Sequence, residues 1–127
     1  ELEEESLPVI QNLIRELNEW PVVVGHRWRD KQFDWADMVV KLRKKGYDHD
    51  MLLNVRIATK DGKVIPVVTA PVVITPEREY TQLYIKYMTD IAQLFGAEPN
   101  RTAMEMEKVF DFMEKLREIR DKFLTFD

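Results

Sequence analysis

The dipeptide Asp61-Gly62 limits what this chain can fold into more than any other feature. Before it, Leu53, Val55, Ile57 and Thr59 alternate with Leu52, Asn54, Arg56 and Ala58; after it, Lys63 to Val68 form an apolar return. That pattern predicts a hairpin closed by a two-residue turn. Pro66 has no amide hydrogen to give to a ladder, so the return strand must lie at an edge or be bulged there. A two-stranded ribbon is marginal in water, so this one must find helices to pack on.

Helical signals flank the hairpin on both sides. Leu7, Ile10, Leu13, Ile14 and Leu17 recur at spacings of three and four and predict a first helix that ends before Trp20-Pro21. Trp20 to Gln32 has no helical period and reads as an irregular connector with buried aromatic anchors at Trp20 and Trp28. A second helix starts at the capping residue Asp34, with Phe33 and Met38 as a hydrophobic staple, and carries Trp35, Met38, Val39 and Leu42 on its inner stripe. Gly46 closes it, and the cations between Lys41 and Lys45 complement its dipole. Thr75-Pro76-Glu77 predicts the start of a third helix, with Thr75 as cap and Pro76 in the first turn. Tyr80, Tyr84, Tyr87, Met88, Ile91, Leu94 and Phe95 form its predicted inner face up to Gly96. After Pro99, Met106, Val109, Phe110, Met113, Leu116, Ile119 and Phe123 predict a fourth helix, antiparallel to the third across the turn Gly96 to Pro99. The fold class is therefore mainly α with a small β-hairpin (α+β), in the order helix-helix-hairpin-helix-helix.

At 127 residues the chain forms one unit, and a compact protein of its 15.1 kDa would expose roughly 7,000 Å². The 45% hydrophobic and 33% charged fractions exclude a disordered or collagen-like chain. A net charge of −4 argues against a phosphate-backbone partner, so no nucleic acid is expected; the basic cluster Lys41, Arg43, Lys44 and Lys45 reads as a solvated helix face. Without cysteine there is no disulfide, thiolate metal site or cysteine nucleophile. The apolar runs Pro21 to Val24 and Val64 to Val68 are too short to span a bilayer. The start at Glu1 is acidic and lacks an initiator Met, so the chain is expected to have been trimmed from something longer.

The search for chemistry returns no catalytic residue and no metal ligand set. His26 and His49 are far apart, and neither begins an H-E-x-x-H run, in which two histidines one turn apart hold zinc and the glutamate activates water. The carboxylate pairs Asp34/Asp37, Asp48/Asp50 and Glu77/Glu79 are better read as helix caps and turn residues than as an acid and base. Tyr80, Tyr84 and Tyr87 offer stacking faces, but core packing with hydroxyls at the rim accounts for them more simply. Asn100-Arg101-Thr102 is an N-glycosylation sequon, which makes Asn100 a candidate modification site.

Taken in order, Leu17-Asn18-Glu19-Trp20-Pro21, Phe33-Asp34-Trp35 and Leu42-Arg43-Lys44-Lys45-Gly46 resemble the N-terminal portion of the neprilysin family of zinc metallopeptidases, the group that includes the endothelin-converting enzymes. Pro76-Glu77-Arg78-Glu79-Tyr80 is similar to the family's Pro-Ser-Arg-Asp-Tyr-Tyr segment. Tyr87-Met88 with Leu94-Phe95-Gly96-Ala97 resembles its next helix, and Met104 through Leu116 the glutamate-rich helix after that. The family's Asp-Gln-Pro appears here only as Thr69-Ala70-Pro71, so a role carried by that acidic residue has no bearer.

The resemblance implies that residues 1–127 are a single fragment of a larger helical lobe that does not bind zinc and that encloses the parent's peptide-binding chamber. It implies a parent that hydrolyses peptide bonds with a zinc-activated water, while the fragment itself has no cofactor and is inactive alone. Its expected partners are the catalytic lobe of the parent chain and, through the parent, peptide substrates. The expected location is extracellular, with membrane attachment only through a parent segment absent here. Arg78, Tyr80, Trp20 and Trp35 are candidates for structural or interface roles. Excision is expected to bare apolar surface on the first or last helix, and any dimer formed that way would be an artefact. The alternative reading is a non-enzymatic helical module, derived from an inactive family member, that binds peptides or proteins.

Overall fold

The computed structural model describes residues 2–124, of which 2–4 by backbone alone, so the Glu1 start lies outside the described residues. The elements are α1 (Leu2–Glu16), α2 (Pro21–Val24), α3 (Trp35–Lys45), β1 (Asn54–Lys60), β2 (Lys63–Thr69), α4 (Thr81–Leu94) and α5 (Pro99–Leu124). The mainly α fold with one hairpin is as expected, with a fifth, single-turn helix inserted in the connector after Trp20.

Local chemistry explains the ends that match expectation. Asp34 accepts hydrogen bonds from the amides of Ala36 and Asp37 at 2.8 and 3.0 Å, and Gly46 takes φ 79°, a left-handed value that a side chain would disfavour. In the hairpin, Lys60 pairs with Lys63, and the two turn residues have φ 52° and 72°, the two positive values that such a turn demands. Pro66 sits opposite Ile57 in an unbulged register. With only two strands each is an edge, so its missing donor breaks no inner ladder.

The core is small and lies where α4 and α5 pack together with α2 against them. Val22, Ile85, Ala92, Ala97, Met106 and Phe110 are buried there, and the Tyr84 ring meets Phe110 edge-on at 6.2 Å.

Five expectations are corrected. The predicted stripe of α5 holds only in part, with Met106 and Phe110 buried and Val109, Ile119 and Phe123 exposed. The third helix does not begin at Thr75: Glu77 is extended, a single 3-10 turn covers Arg78–Tyr80, and α4 starts at Thr81. Thr75 lies on the same surface cleft as Glu114 and does not serve as a cap; the residue before α4 is Tyr80. The buried stripe of α4 is Ile85, Thr89 and Ala92, while Tyr80, Tyr87 and Leu94 are exposed. Trp20 and Trp28 are half-buried, and Trp35 is 49% exposed on α3, which buries no residue. Finally, the hairpin is not covered by helices: Ile57 is 74% exposed, and Val64 and Val68 are exposed on the opposite strand.

Candidate functional site

Helix α5 is a spine that holds the irregular segments at three levels. At its first turn the Arg101 guanidinium donates to the Val22 carbonyl at 3.3 Å and pairs with Glu105 at 2.8 Å. Gly25 takes φ 59°, which a side chain would disfavour, and a Cβ there would lie 2.7 Å from that guanidinium and displace it. Trp20 supports the contact by packing against Phe95 with ring centroids 6.0 Å apart. Two residues further back, Asn18 closes α1 at φ 70°, and its carbonyl accepts from the Trp28 indole at 3.3 Å.

In the middle of α5, Arg117 makes a forked pair with Glu114, its Nε and one terminal nitrogen lying 3.2 and 2.8 Å from the two carboxylate oxygens. Arg117 also reaches Asp121 at 3.4 Å. The hydrogen bond from Arg117 holds the Glu114 carboxyl below its ordinary 4.5, with Thr75 and Arg78 acting in the same direction. Arg78 thus lies beside this cluster as an electrostatic neighbour of Glu114, while Tyr80, 51% exposed, presents its ring outward.

The Glu114 shift sets the sign of an acid dependence. A carboxyl whose folded value is depressed adds stability above its unfolded value, and that stability is lost as pH falls through the folded one. The midpoint of urea unfolding is therefore expected to fall on acidification below about pH 4.5. Glu114→Gln is expected to flatten this part of the profile; a profile parallel to that of the unsubstituted chain would contradict the pairing.

Near the end of α5, Arg120 donates to the Val73 carbonyl at 2.7 Å and pairs with Asp121 at 2.8 and 2.9 Å, which ties down the segment between the hairpin and α4. Below it lies the root of the hairpin, where the Val72 amide donates to the Asp50 carbonyl at 2.9 Å. His49 Nδ1 lies 2.9 Å from the Tyr47 carbonyl, and its Nε2 lies 3.3 Å from Asp50. Between this root and the last turns of α5 runs a groove of about 690 Å³, lined by Leu52, Leu53, Val68, Leu116, Ile119 and Phe123. Phe123, at the far end of α5, is 71% exposed. The groove and the bare hairpin both present apolar side chains to the surface.

The acidic pairs do not converge. Asp34 caps α3, Asp37 pairs with Lys41, Asp50 faces His49, and Glu77 and Glu79 are exposed. His26 is exposed on the connector, away from the His49 turn. Among the described residues, no group of three or more His, Cys, Asp or Glu side chains is placed to hold a metal ion. No helix among them is long and apolar enough to cross a membrane. Asn100, the second residue of α5, is exposed, whereas Thr102 of the same sequon is 0% exposed. Sequence reasoning passed over Arg101, Glu114, Arg117 and Arg120; their i,i+3 and i,i+4 charges look like an ordinary solvated face, and only the tertiary partners distinguish them.

The model of the N-terminal region of peptidase family M13 matches residues 1–123. The chain is 27% identical over 124 residues to Neprilysin-2 of Drosophila melanogaster, an alignment covering 87% of this chain and 16% of that protein. No solved structure matches the chain. A match running from the first residue almost to the last, joined to the ordered series of segments from Leu17 to Leu116, places the chain in peptidase family M13, within its N-terminal region.

Proposed function

We propose that this chain is a non-catalytic segment of a neprilysin-like zinc metalloendopeptidase, built into the helical lobe that encloses the peptide-binding chamber. The carrying observation is surface area. The chain exposes 10220 Å², about 3,000 Å² more than a compact protein of its mass. Large apolar side chains contribute to it: Ile57, Val64 and Val68 on the hairpin, Val72 and Ile74 after it, and Ile119 and Phe123 on α5 are exposed.

The occupant of that surface is the remainder of the parent chain. A second copy at a standard interface would cover about 800 Å² per partner and leave most of the excess bare. The chain spans 16% of the relative it matches, which leaves ample parent to cover it. The metal ligands of the parent lie outside this segment. The sequon at Asn100 supports an extracellular location for the lobe, with any membrane anchor on another part of the parent.

The test is to read the native reading frame past Asp127 for an H-E-x-x-H run with a downstream acidic zinc ligand, and to assay the purified chain. The expected result is both motifs in the frame, with no stoichiometric zinc and no chelator-sensitive peptide cleavage by the chain itself. A closed frame, replaced histidines, or cleavage by clean protein would overturn the reading.

A further inference from the structure

We propose that Asn100 carries an N-linked glycan that is attached before α5 forms and whose acceptor sequence is closed to the transferase once the chain has folded. The site itself depends on the extracellular location argued above; the timing follows from geometry alone. Asn100 is exposed at the second position of α5, Arg101 is committed to the Val22 carbonyl and to Glu105, and Thr102 is fully buried with its hydroxyl donating to the Glu98 carbonyl.

Sequon recognition requires both the asparagine amide and the hydroxyl two residues on. On a helix those two side chains point about 200° apart. Here one lies in solvent and the other is fully buried, so a single transferase site cannot hold both until the first turn of α5 opens. Opening that turn would break the Thr102 hydrogen bond and release Arg101 from the connector. In the unfolded chain nothing stands in the way. The amide nitrogen of Asn100 then displaces a lipid diphosphate from the anomeric carbon of the donor oligosaccharide. A C–N bond forms, the C–O bond to the diphosphate breaks, and the amide proton is lost to base.

The position of the glycan also orients the segment. Asn100 and the groove residues Ile119 and Phe123 lie near opposite ends of α5, about 30 Å apart along its axis. A glycan at the α4–α5 corner therefore leaves the apolar surface free for the parent and marks the corner itself as facing solvent in the assembled protein.

The experiment has two arms. In the first, the 127-residue chain is directed into the endoplasmic reticulum of cultured insect cells by a cleavable signal and recovered from whole lysate, so that secretion is not required. Intact mass is read before and after peptide N-glycosidase. The chain and its Thr102→Ser variant are expected to lose mass on digestion, while Asn100→Gln and Thr102→Val show no change. In the second arm, folded chain made in bacteria and a synthetic peptide of residues 96–106 are offered to microsomal transferase with a lipid-linked oligosaccharide. The peptide is expected to be modified and the folded chain to react about tenfold more slowly or less, because reaction waits on local opening. Unmodified Asn100 in the first arm overturns the site, and equal rates in the second overturn the timing. Neither outcome depends on whether the parent frame encodes H-E-x-x-H, so the failure of this proposal and that of the peptidase reading are separable.

Discussion

Replacing Phe110 by alanine is expected to abolish the cooperative unfolding of the isolated chain. Phe110 is buried where α4 meets α5, edge-on to Tyr84, in a core whose other large side chains are Ile85 and Met106. Truncating a buried Phe costs about 3–5 kcal/mol, from lost transfer energy and from the cavity left behind. A compact domain has about 5–15 kcal/mol in total, and a chain this open starts near the bottom of that range. The variant is therefore expected to show helical far-ultraviolet dichroism without fixed near-ultraviolet signals, and no sigmoidal urea transition. A transition within about 1 kcal/mol of the unsubstituted chain would show that the α4–α5 core does not hold the segment together.

The second large effect depends on context. Phe123→Asp places a charge on a side chain that is 71% exposed here and is expected to be covered in the parent. In the isolated chain the substitution should change stability by no more than about 0.5 kcal/mol. In the full-length protein it buries an unpaired carboxylate in an apolar contact, and a loss of about 3 kcal/mol or more, with a sharp fall in secreted yield, is expected. Glu107→Lys, on an exposed polar position of the same helix, serves as the control and should be near neutral in both settings. Equal effects of Phe123→Asp in the two settings would mean that nothing covers the end of α5.

What could be read from the sequence and what could not divides along the range of the forces involved. Helix α3 and the turn end of the hairpin were legible to within a residue, because Asp34, Gly46 and Asp61-Gly62 act on backbone groups only a few positions away; the open end of β1, far from the turn, starts two residues later than the alternation from Leu52 suggests. The start of α4 was misread for the complementary reason. Thr75-Pro76-Glu77 satisfies every local rule for a helix start, yet the segment lies along the Glu114 and Arg117 side chains of distant α5, and the chain is still extended at Glu77. The face of α4 was misjudged because tyrosines outweigh Thr89 and Ala92 in any hydrophobic count, while close packing on α5 favours the small residues. The stripe on α5 holds at Met106 and Phe110, but Val109 between them is exposed, and Ile119 and Phe123 keep the period but face outward. The same mismatch makes Trp35 and Ile57, patterned for burial, exposed. Patterning predicts which residues are meant to be buried; the structure of one segment shows which of them still await a partner.

Hydroxyl-radical footprinting, read residue by residue by mass spectrometry, compares that surface directly between the isolated chain and the full-length protein. The account predicts that Trp35, Ile57 and Phe123 are oxidised readily in the isolated chain and protected in the full-length protein, while Phe110 is protected in both. Unchanged oxidation of Trp35, Ile57 and Phe123 in the full-length protein would contradict the claim that this segment is completed by the rest of its own chain.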